Sequence, residues 1–182
     1  MRYILTGSLL ATVAWSQSPA ENPQLASAKA YYVMVRSNVL KSADKMPEDK
    51  WGFRPVDEVK SYGQMLAHIA DAQFYVCGVA KLGDSSKTGN RSVEKTATTK
   101  AEIVKWLNEG FAYCDSLYSE LTDTSSAAMV NFFGQQRTKL SVLAFNTAHV
   151  YEHYGNLVTY MRMNKIVPPT SEPPPAAPPA VK

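Results

Sequence analysis

Histidines are the residues of this chain whose type and spacing most directly suggest chemistry. His149 and His153 lie four residues apart in the stretch FNTAHVYEHYGNLV, and residues four apart on a helix project side by side. Burying two imidazoles is costly unless each finds a partner, and one metal ion would serve both. Taken alone, the pair is a modest signal, because many such pairs are solvated or are metal-free histidines of a core.

The third and last histidine, His68, lies in a different predicted helix, on a face that it shares with Met65 and Ala72. It can therefore approach the other two from a neighbouring helix of a bundle. Three histidine ligands leave coordination positions open on a metal ion, which is typical of catalytic rather than structural sites. We therefore take His68, His149 and His153 as candidate ligands of one divalent metal.

The stretch HVYEH also matches the inverted zinc-protease pattern H-x-x-E-H, in which the glutamate acts as general base. That class needs a further glutamate ligand far downstream. Only 29 residues follow His153, and the sole carboxylate among them is Glu172. The protease interpretation is therefore disfavoured. Glu152 is kept as a candidate base, although it points about 100° away from His153 around a helix, as a surface carboxylate would.

Four long helical patterns must position these histidines. They span roughly 23–45, 61–82, 99–121 and 138–164. Capping boxes mark two of the starts, at Ser61 with Gln64 and at Thr99 with Glu102, and Gly83 suits a helix end. The fold expected is all-α, an up-down-type four-helix bundle with a long first crossover. The stretch AMVNFFG before the last helix could be a strand or a turn.

The apolar stripe predicted for the last helix contains both histidines of the pair. It is made of Val142, Phe145, His149, His153, Asn156, Tyr160 and Met163.

Both ends of the chain are expected to lie outside the bundle domain, which we place at residues 22–166. Residues 1–16 have the short positive start, apolar run and small residues of a cleaved export signal, so a periplasmic or extracellular location is expected. Residues 167–182 are proline-rich and predict an extended, disordered tail. In an oxidising compartment Cys77 and Cys114 could form a disulfide, although two buried thiols fit equally well.

Charge excludes one broad class of function. The net charge is +3, and no dense run of Lys and Arg appears, so there is no sign of nucleic-acid binding. After removal of the export signal no membrane association is expected either.

The order of the motifs resembles the DinB-like superfamily of metal-binding four-helix bundles. A histidine in SYGQMLAHIADAQFY is followed by a last helix reading LAFNTAHVYEHYGNLVTYMRMNKIVPP, and the resemblance covers about Leu25 to Pro169. It implies that His68, His149 and His153 bind a divalent metal, zinc or nickel above all. It also implies that dimerisation through helix faces is compatible with the fold. Some members transfer low-molecular-weight thiols to electrophiles or isomerise thiol adducts.

Other residues are candidates for the surroundings of such a metal. Asp71, one turn after His68, is a candidate partner for the outer N–H of a ligand imidazole and a second candidate for catalysis. Asn156 could orient a substrate, while Tyr75 and Tyr160 could line the pocket. Two functions follow as hypotheses: a metal-dependent hydrolase or thiol transferase acting on a small electrophile in the cell envelope, or a non-catalytic binding module.

Overall fold

The computed structural model describes residues 22–89 and 91–173. Its helices are α1 (Pro23–Lys45), α2 (Tyr62–Leu82), α3 (Val93–Thr96), α4 (Lys100–Glu120), α5 (Asp123–Ser126) and α6 (Lys139–Met163). Strands β1 (Met129–Phe132) and β2 (Gln135–Thr138) pair antiparallel between α5 and α6, which resolves the choice between strand and turn there. Short 3-10 turns occupy Glu48–Lys50, Ser85–Lys87 and Pro169–Ser171. In the part of the chain just delimited, no helix is long and apolar enough to cross a membrane.

The predicted helix boundaries are confirmed, because they depend on local capping. The Ser61 hydroxyl accepts the Gln64 N–H at 3.3 Å, and the Gln64 side chain accepts the Ser61 N–H at 2.9 Å. Thr99 and Glu102 form the same reciprocal pair at the start of α4. At the other end of α2, Gly83 adopts φ +85°, the left-handed conformation that ends many helices.

The directions of the helices do not simply alternate. α2 and α4 run parallel, since Gly63 packs near Ile103 at one end while Lys81 pairs with Glu120 at the other. α1 ends where α2 begins, and α6 runs antiparallel to α2. The order is therefore up, down, down, up. The first connection, residues 46–61, is long, as predicted. The second connection, residues 83–99, is the one that crosses the length of the bundle, because it joins the parallel helices α2 and α4.

A disulfide between Cys77 and Cys114 ties α2 to α4 in the buried centre of the bundle, with the two Cα atoms 5.5 Å apart. Of the two states that the sequence left open, the structure has the bonded one. Both cysteines belong to the hydrophobic core, whose fully buried apolar side chains include Val35, Ile69, Leu107 and Leu143.

The buried face of α6 includes Val142 and Tyr160 of the predicted stripe, but most of it lies about one position, or about 100° around the helix, from that stripe. Leu143, Val150, Leu157 and Met161 are fully buried, whereas the predicted core residue Asn156 is exposed. Phe145 and Met163 are likewise 43% and 54% exposed. The histidines of the pair therefore lie half-buried at the edge of the α6 core face rather than at its centre.

The packed domain extends past the predicted boundary at residue 166. The Tyr154 hydroxyl lies 3.1 Å from that of Thr170, Arg162 donates to Ser171 at 2.8 Å, and Glu172 forms an ion pair with Lys45 of α1. Residues 167–173 thus pack against α1 and α6 instead of forming an extended tail. The predicted export signal and residues 174–182 lie outside the described residues.

Candidate metal centre

The three histidines converge where α2 and α6 cross. His68 projects from α2, and His149 and His153 project from successive turns of α6. The Nε2 atoms of His149 and His153 are 2.9 Å apart, and those of His68 and His149 are 3.4 Å apart. One ring nitrogen from each residue lies within 4.8 Å of the other two. The structure thus brings together the three residues that the sequence singled out and forms a possible metal site.

The 3.4 Å between His68 and His149 is the separation expected for two ligands of one tetrahedral cation, and the 2.9 Å between His149 and His153 is about 0.5 Å shorter. Two nitrogens that are each about 2.1 Å from the same tetrahedral ion lie roughly 3.4 Å from each other. The positions of the protons favour the same arrangement. Glu94 lies 3.2 Å from Nδ1 of His68, and because a carboxylate only accepts, Nδ1 carries the proton of the neutral ring. The Nε2 lone pair of His68 therefore faces His149.

The other two rings have polar atoms without partners. Nδ1 of His149 and Nδ1 of His153 are buried and find no hydrogen-bond partner among the described residues. Unpaired buried polar atoms are uncommon, and each one calls for an explanation. If both Nδ1 atoms carry the ring protons, all three neighbouring Nε2 atoms are unprotonated and can act as ligands. Three unprotonated nitrogens cannot hydrogen-bond to one another, but they can all bind the same divalent cation.

Burial keeps the imidazoles of α6 neutral. It is the main reason why the pKa of His153 is lowered to about 4, and the nearby His149 and His68 lower this pKa further. Burial, followed by His68, also lowers the pKa of His149, and the charge of Glu152 opposes that shift. Near neutral pH the lone pairs are therefore available to a metal without loss of a proton.

Glu94, which the sequence did not single out, is the carboxylate in contact with the triad. One of its oxygens bonds His68, and the other forms an ion pair with Lys60. Burial alone would raise the pKa of Glu94, but Lys60 and then His68 outweigh it and hold that pKa below its usual value. Glu94 is thus an anion that fixes both the orientation and the tautomer of His68.

Asp71 does not have the role predicted for it. Its two carboxylate oxygens accept the backbone N–H groups of Val93 at 2.9 Å and Glu94 at 3.0 Å. Asp71 therefore caps the start of α3, the short helix that carries Glu94. Its influence on the triad is indirect, through the position of Glu94. The sequence could not predict this role, because α3 has only four residues and lies between the helical patterns at 61–82 and 99–121.

The two tyrosine candidates separate in the structure. Tyr75 lies beside the triad and packs against Phe133, with ring centroids 5.8 Å apart. Tyr160 is buried elsewhere, and its hydroxyl donates to the backbone oxygen of Lys60 at 3.2 Å. Tyr160 thus holds the segment whose Lys60 side chain pairs with Glu94, and it is not part of the pocket wall.

The two remaining candidates on α6 face solvent. Asn156 is exposed, so the proposed role in orienting a substrate in the bundle interior is wrong. Glu152 is exposed as well, as its direction on the helix indicated, and acts on His149 only through its charge.

A cavity of about 390 Å³ adjoins two of the three histidines. Its walls are His68, Asp71, Ala72, Tyr75, Val76, Thr88, Phe133, Phe145 and His149. A larger cavity of about 500 Å³ lies between the starts of α2 and α4, but no histidine lines it. The smaller cavity is therefore the one from which a substrate could reach the triad. The stretch AMVNFFG, which the sequence left open as a strand or a turn, brings Phe133 there in the turn between β1 and β2.

Comparison with known proteins agrees with this architecture. The model of the DinB superfamily matches residues 31–157 of this chain. The Bacillus subtilis (strain 168) protein YjoA is 22% identical over 133 residues, which are 73% of this chain and 86% of that protein.

Solved structures share the fold. The DinB-like protein YjoA of Bacillus subtilis superposes with a TM-score of 0.63 at 19% identity, covering 76% of this chain and 92% of that one. A DinB-like protein from Bacillus cereus gives 0.66 at 18% identity, covering 80% and 93%. A mycothiol-dependent maleylpyruvate isomerase gives 0.63 at 14% identity, covering 73% of this chain and 60% of the isomerase.

Proposed function

The chain belongs to the DinB superfamily, and from this premise and the converging imidazoles we propose that it binds a divalent metal through His68, His149 and His153. The metal proposed is zinc or nickel, since neutral imidazoles suit both. The activity proposed is that of a metal-dependent hydrolase or thiol S-transferase acting on a small electrophilic substrate. The single observation that carries the proposal is the approach of three Nε2 atoms from two helices to distances that one cation can bridge.

A divalent ion held by three histidines supplies a Lewis acid with free coordination positions, at which water or a thiol loses its proton more readily. The chain's own residues prepare the site for this chemistry. Glu94 holds the proton of His68 at Nδ1 and leaves Nε2 free to bind. The cavity beside His68 and His149 offers a substrate a largely apolar enclosure. A thiol co-substrate is included because a structural neighbour is a mycothiol-dependent isomerase.

A non-catalytic module that only binds metal or ligand is the second candidate, and one observation favours it. Both carboxylates nearest the triad are already engaged, Asp71 by backbone N–H groups and Glu94 by Lys60 and His68. Neither is therefore a free general base, and Glu152 is exposed on the surface of α6.

We also propose that the protein acts after export, in the periplasm or outside the cell. The Cys77–Cys114 disulfide supports this location, since disulfides persist in oxidising compartments and are rare in reducing ones.

Metal binding is tested by elemental analysis and by calorimetric titration of zinc and nickel into the chelator-treated protein. The wild type should bind one equivalent, and His68→Ala, His149→Ala and His153→Ala should each lose most of the affinity. The chain has no other histidine, so Asn156→Ala, an exposed residue one turn from His153, is the matched control. Retention of stoichiometric binding by all three histidine variants would refute the site.

Catalysis is tested separately, with a panel of uncharged esters and of electrophiles offered with a low-molecular-weight thiol. The zinc-loaded wild type should turn over at least one member of the panel, and His149→Ala should not. Tight metal binding without turnover on any member would favour the binding module.

A further inference from the structure

The mouth of the cavity beside the triad is formed by aromatic rings that are largely exposed. Phe133 is 63% exposed and Phe145 is 43% exposed. The Phe133 ring lies 5.8 Å from that of Tyr75 and 6.1 Å from that of Phe145. Phe145 in turn stacks on His149, with centroids 6.0 Å apart and planes 17° apart. These rings form a continuous aromatic wall that leads from solvent to the triad.

Phe133 occupies a backbone position that an aromatic residue rarely adopts. It forms the two-residue turn between β1 and β2 together with Gly134, with φ +50° at Phe133 and +76° at Gly134. Turns with two positive φ values favour Asn-Gly or Gly-Gly. A bulky residue there is strained, and such outliers cluster at ligand-binding sites. Its ring is mostly exposed, so burial within the chain only partly offsets the strain.

Two polar side chains of the cavity wall, Asp71 and Thr88, already have hydrogen-bond partners within the chain. Both Asp71 oxygens accept backbone N–H groups. The Thr88 hydroxyl donates to the Ser85 carbonyl at 2.7 Å. No lysine or arginine is among the described residues that line this cavity. The described wall therefore offers an anionic substrate body no cationic side chain and places the Asp71 carboxylate nearby, so it favours an uncharged body.

The size of the cavity limits the ligand to a small one. Its volume of about 390 Å³ is near the lower end of ordinary ligand pockets, which hold roughly 300–1,000 Å³.

We propose that this cavity binds the aromatic, uncharged body of a small electrophile, and that Phe133 is the residue that selects it. The inference rests on the proposed function, because it concerns the same site. The aromatic body lies between Phe133, Tyr75 and Phe145, which places the reactive end of the molecule next to His68 and His149. Offset or edge-on contacts with the rings provide the preference for an aromatic over a merely small ligand.

The test uses 2-naphthol, uncharged at pH 7, and naphthalene-2-sulfonate, which has the same rings and a negative charge. Both are titrated by calorimetry into the chelator-treated full chain, so that no metal contributes. The wild type should bind 2-naphthol at least about tenfold more tightly than the sulfonate.

Phe133→Gly should weaken 2-naphthol binding roughly tenfold, about 1.4 kcal/mol. Glycine accepts the positive φ, so the turn should remain intact, and Phe133→Asn provides a second variant suited to that conformation. Tyr31→Ala is the matched control, because Tyr31 is also 63% exposed but lies on α1, away from the triad cavity. It should leave the affinity unchanged.

Failure of the wild type to bind 2-naphthol would overturn the inference. So would equal affinity for the two probes, or equal losses in Phe133→Gly and Tyr31→Ala. A zinc titration of the same samples separates this outcome from failure of the proposed function. Zinc binding with naphthol binding that ignores Phe133 would overturn only the inference. Naphthol binding that depends on Phe133, without any zinc binding, would overturn the metal-dependent function and leave an aromatic-binding cavity.

Discussion

Two adjacent polar layers join α2 to α6, and they differ in whether their polar atoms find partners within the chain. In one layer, fully buried Gln73 and Asn146 bond reciprocally. The Asn146 amide donates to Gln73 Oε1 at 2.9 Å, and the Gln73 amide donates to Asn146 Oδ1 at 3.3 Å. In the other, one turn further along α6, His149 and His153 each leave a buried Nδ1 unpaired. We call these the amide layer and the histidine layer.

This difference suggests that the amide layer has a structural role and that the histidine layer is a binding site. A buried polar pair that is satisfied internally fixes how two helices align, because any slip would break both of its hydrogen bonds. The amide layer also packs against the disulfide, with the Asn146 amide 3.7 Å from the sulfur of Cys77. The amide layer fixes the helices that carry the histidine layer, but the histidine layer has polar atoms without partners in the chain. Binding a metal ion should therefore stabilise the histidine layer more than the amide layer.

The largest effect expected from this comparison is a metal-dependent rise in stability. Zinc at a hundred times its dissociation constant should stabilise the wild type by about 2.7 kcal/mol, because only the folded state brings the three ligands together. For a domain of this size the melting temperature should rise by roughly 5–10 °C. In thermal denaturation, His149→Ala should show no rise. Asn146→Leu should start from a lower melting temperature and still show one. An unchanged zinc response in His149→Ala would contradict the division into layers.

The amide layer should be the one that is sensitive to loss of a single member. Asn146→Leu leaves the buried amide of Gln73 without its partner and should cost roughly 1–3 kcal/mol in urea unfolding. Adding Gln73→Leu removes the stranded amide and should restore a good part of this loss. In the metal-free protein, His153→Leu should be neutral or stabilising, since it removes an unpaired nitrogen. Equal losses in Asn146→Leu and His153→Leu would show that both layers are structural.

The sequence could identify the helices and the triad because both depend on short-range rules. Ser61 with Gln64 and Thr99 with Glu102 satisfy each other within one turn, so the helix starts can be read locally. The pairing of His149 with His153 follows from helical spacing alone. The buried face of α6 could not be fixed this way. Phe145 and Met163 are as apolar as Leu143 and Met161, and only packing against α2 and α1 determines which of them are buried.

The surroundings of the triad could not be predicted, because they depend on contacts that are distant in sequence. Glu94 lies on a helix of four residues, too short to show any periodicity. That helix is held by Asp71, which is 22 residues from Val93 in the chain. The position of Asp71 one turn after His68 made it a candidate partner of that histidine, but its carboxylate accepts the backbone N–H groups at the start of α3.

The third prediction concerns the hydrogen bond that Nδ1 of His68 donates to Glu94, a partner that the histidine layer does find within the chain. Glu94→Gln should weaken zinc binding about tenfold, since loss of a charged partner of a ligand histidine typically lowers metal affinity by about 10–100-fold. Competition with a chromophoric chelator measures this change. Glu109→Gln, on the exposed surface of α4, should leave zinc affinity unchanged. If Glu94→Gln binds zinc as the wild type does, the Glu94 contact has no influence on the metal site.

The smallest expected effect is the response of the metal-free histidine layer to acid. The pKa of His153 is about 4 in the folded protein and about 6.5 in an unfolded chain, so between these values only the unfolded state takes up the proton. The free energy of unfolding should therefore be at its full value above pH 6.5 and fall as the pH is lowered toward 4. Because the ring is only half-buried and partly screened by solvent, we expect a loss of about 1 kcal/mol.

Urea unfolding at pH 7, 5.5 and 4.5 measures this slope, and His153→Leu is the variant that isolates it. The variant should lose less stability over the same interval, because it has no proton to take up at that position. Asn146→Leu, which changes the amide layer and no titrating group, should keep the full slope of the wild type. Parallel pH profiles for His153→Leu and the wild type would assign the acid response to other groups. The histidine layer would then be no more sensitive to acid than the amide layer.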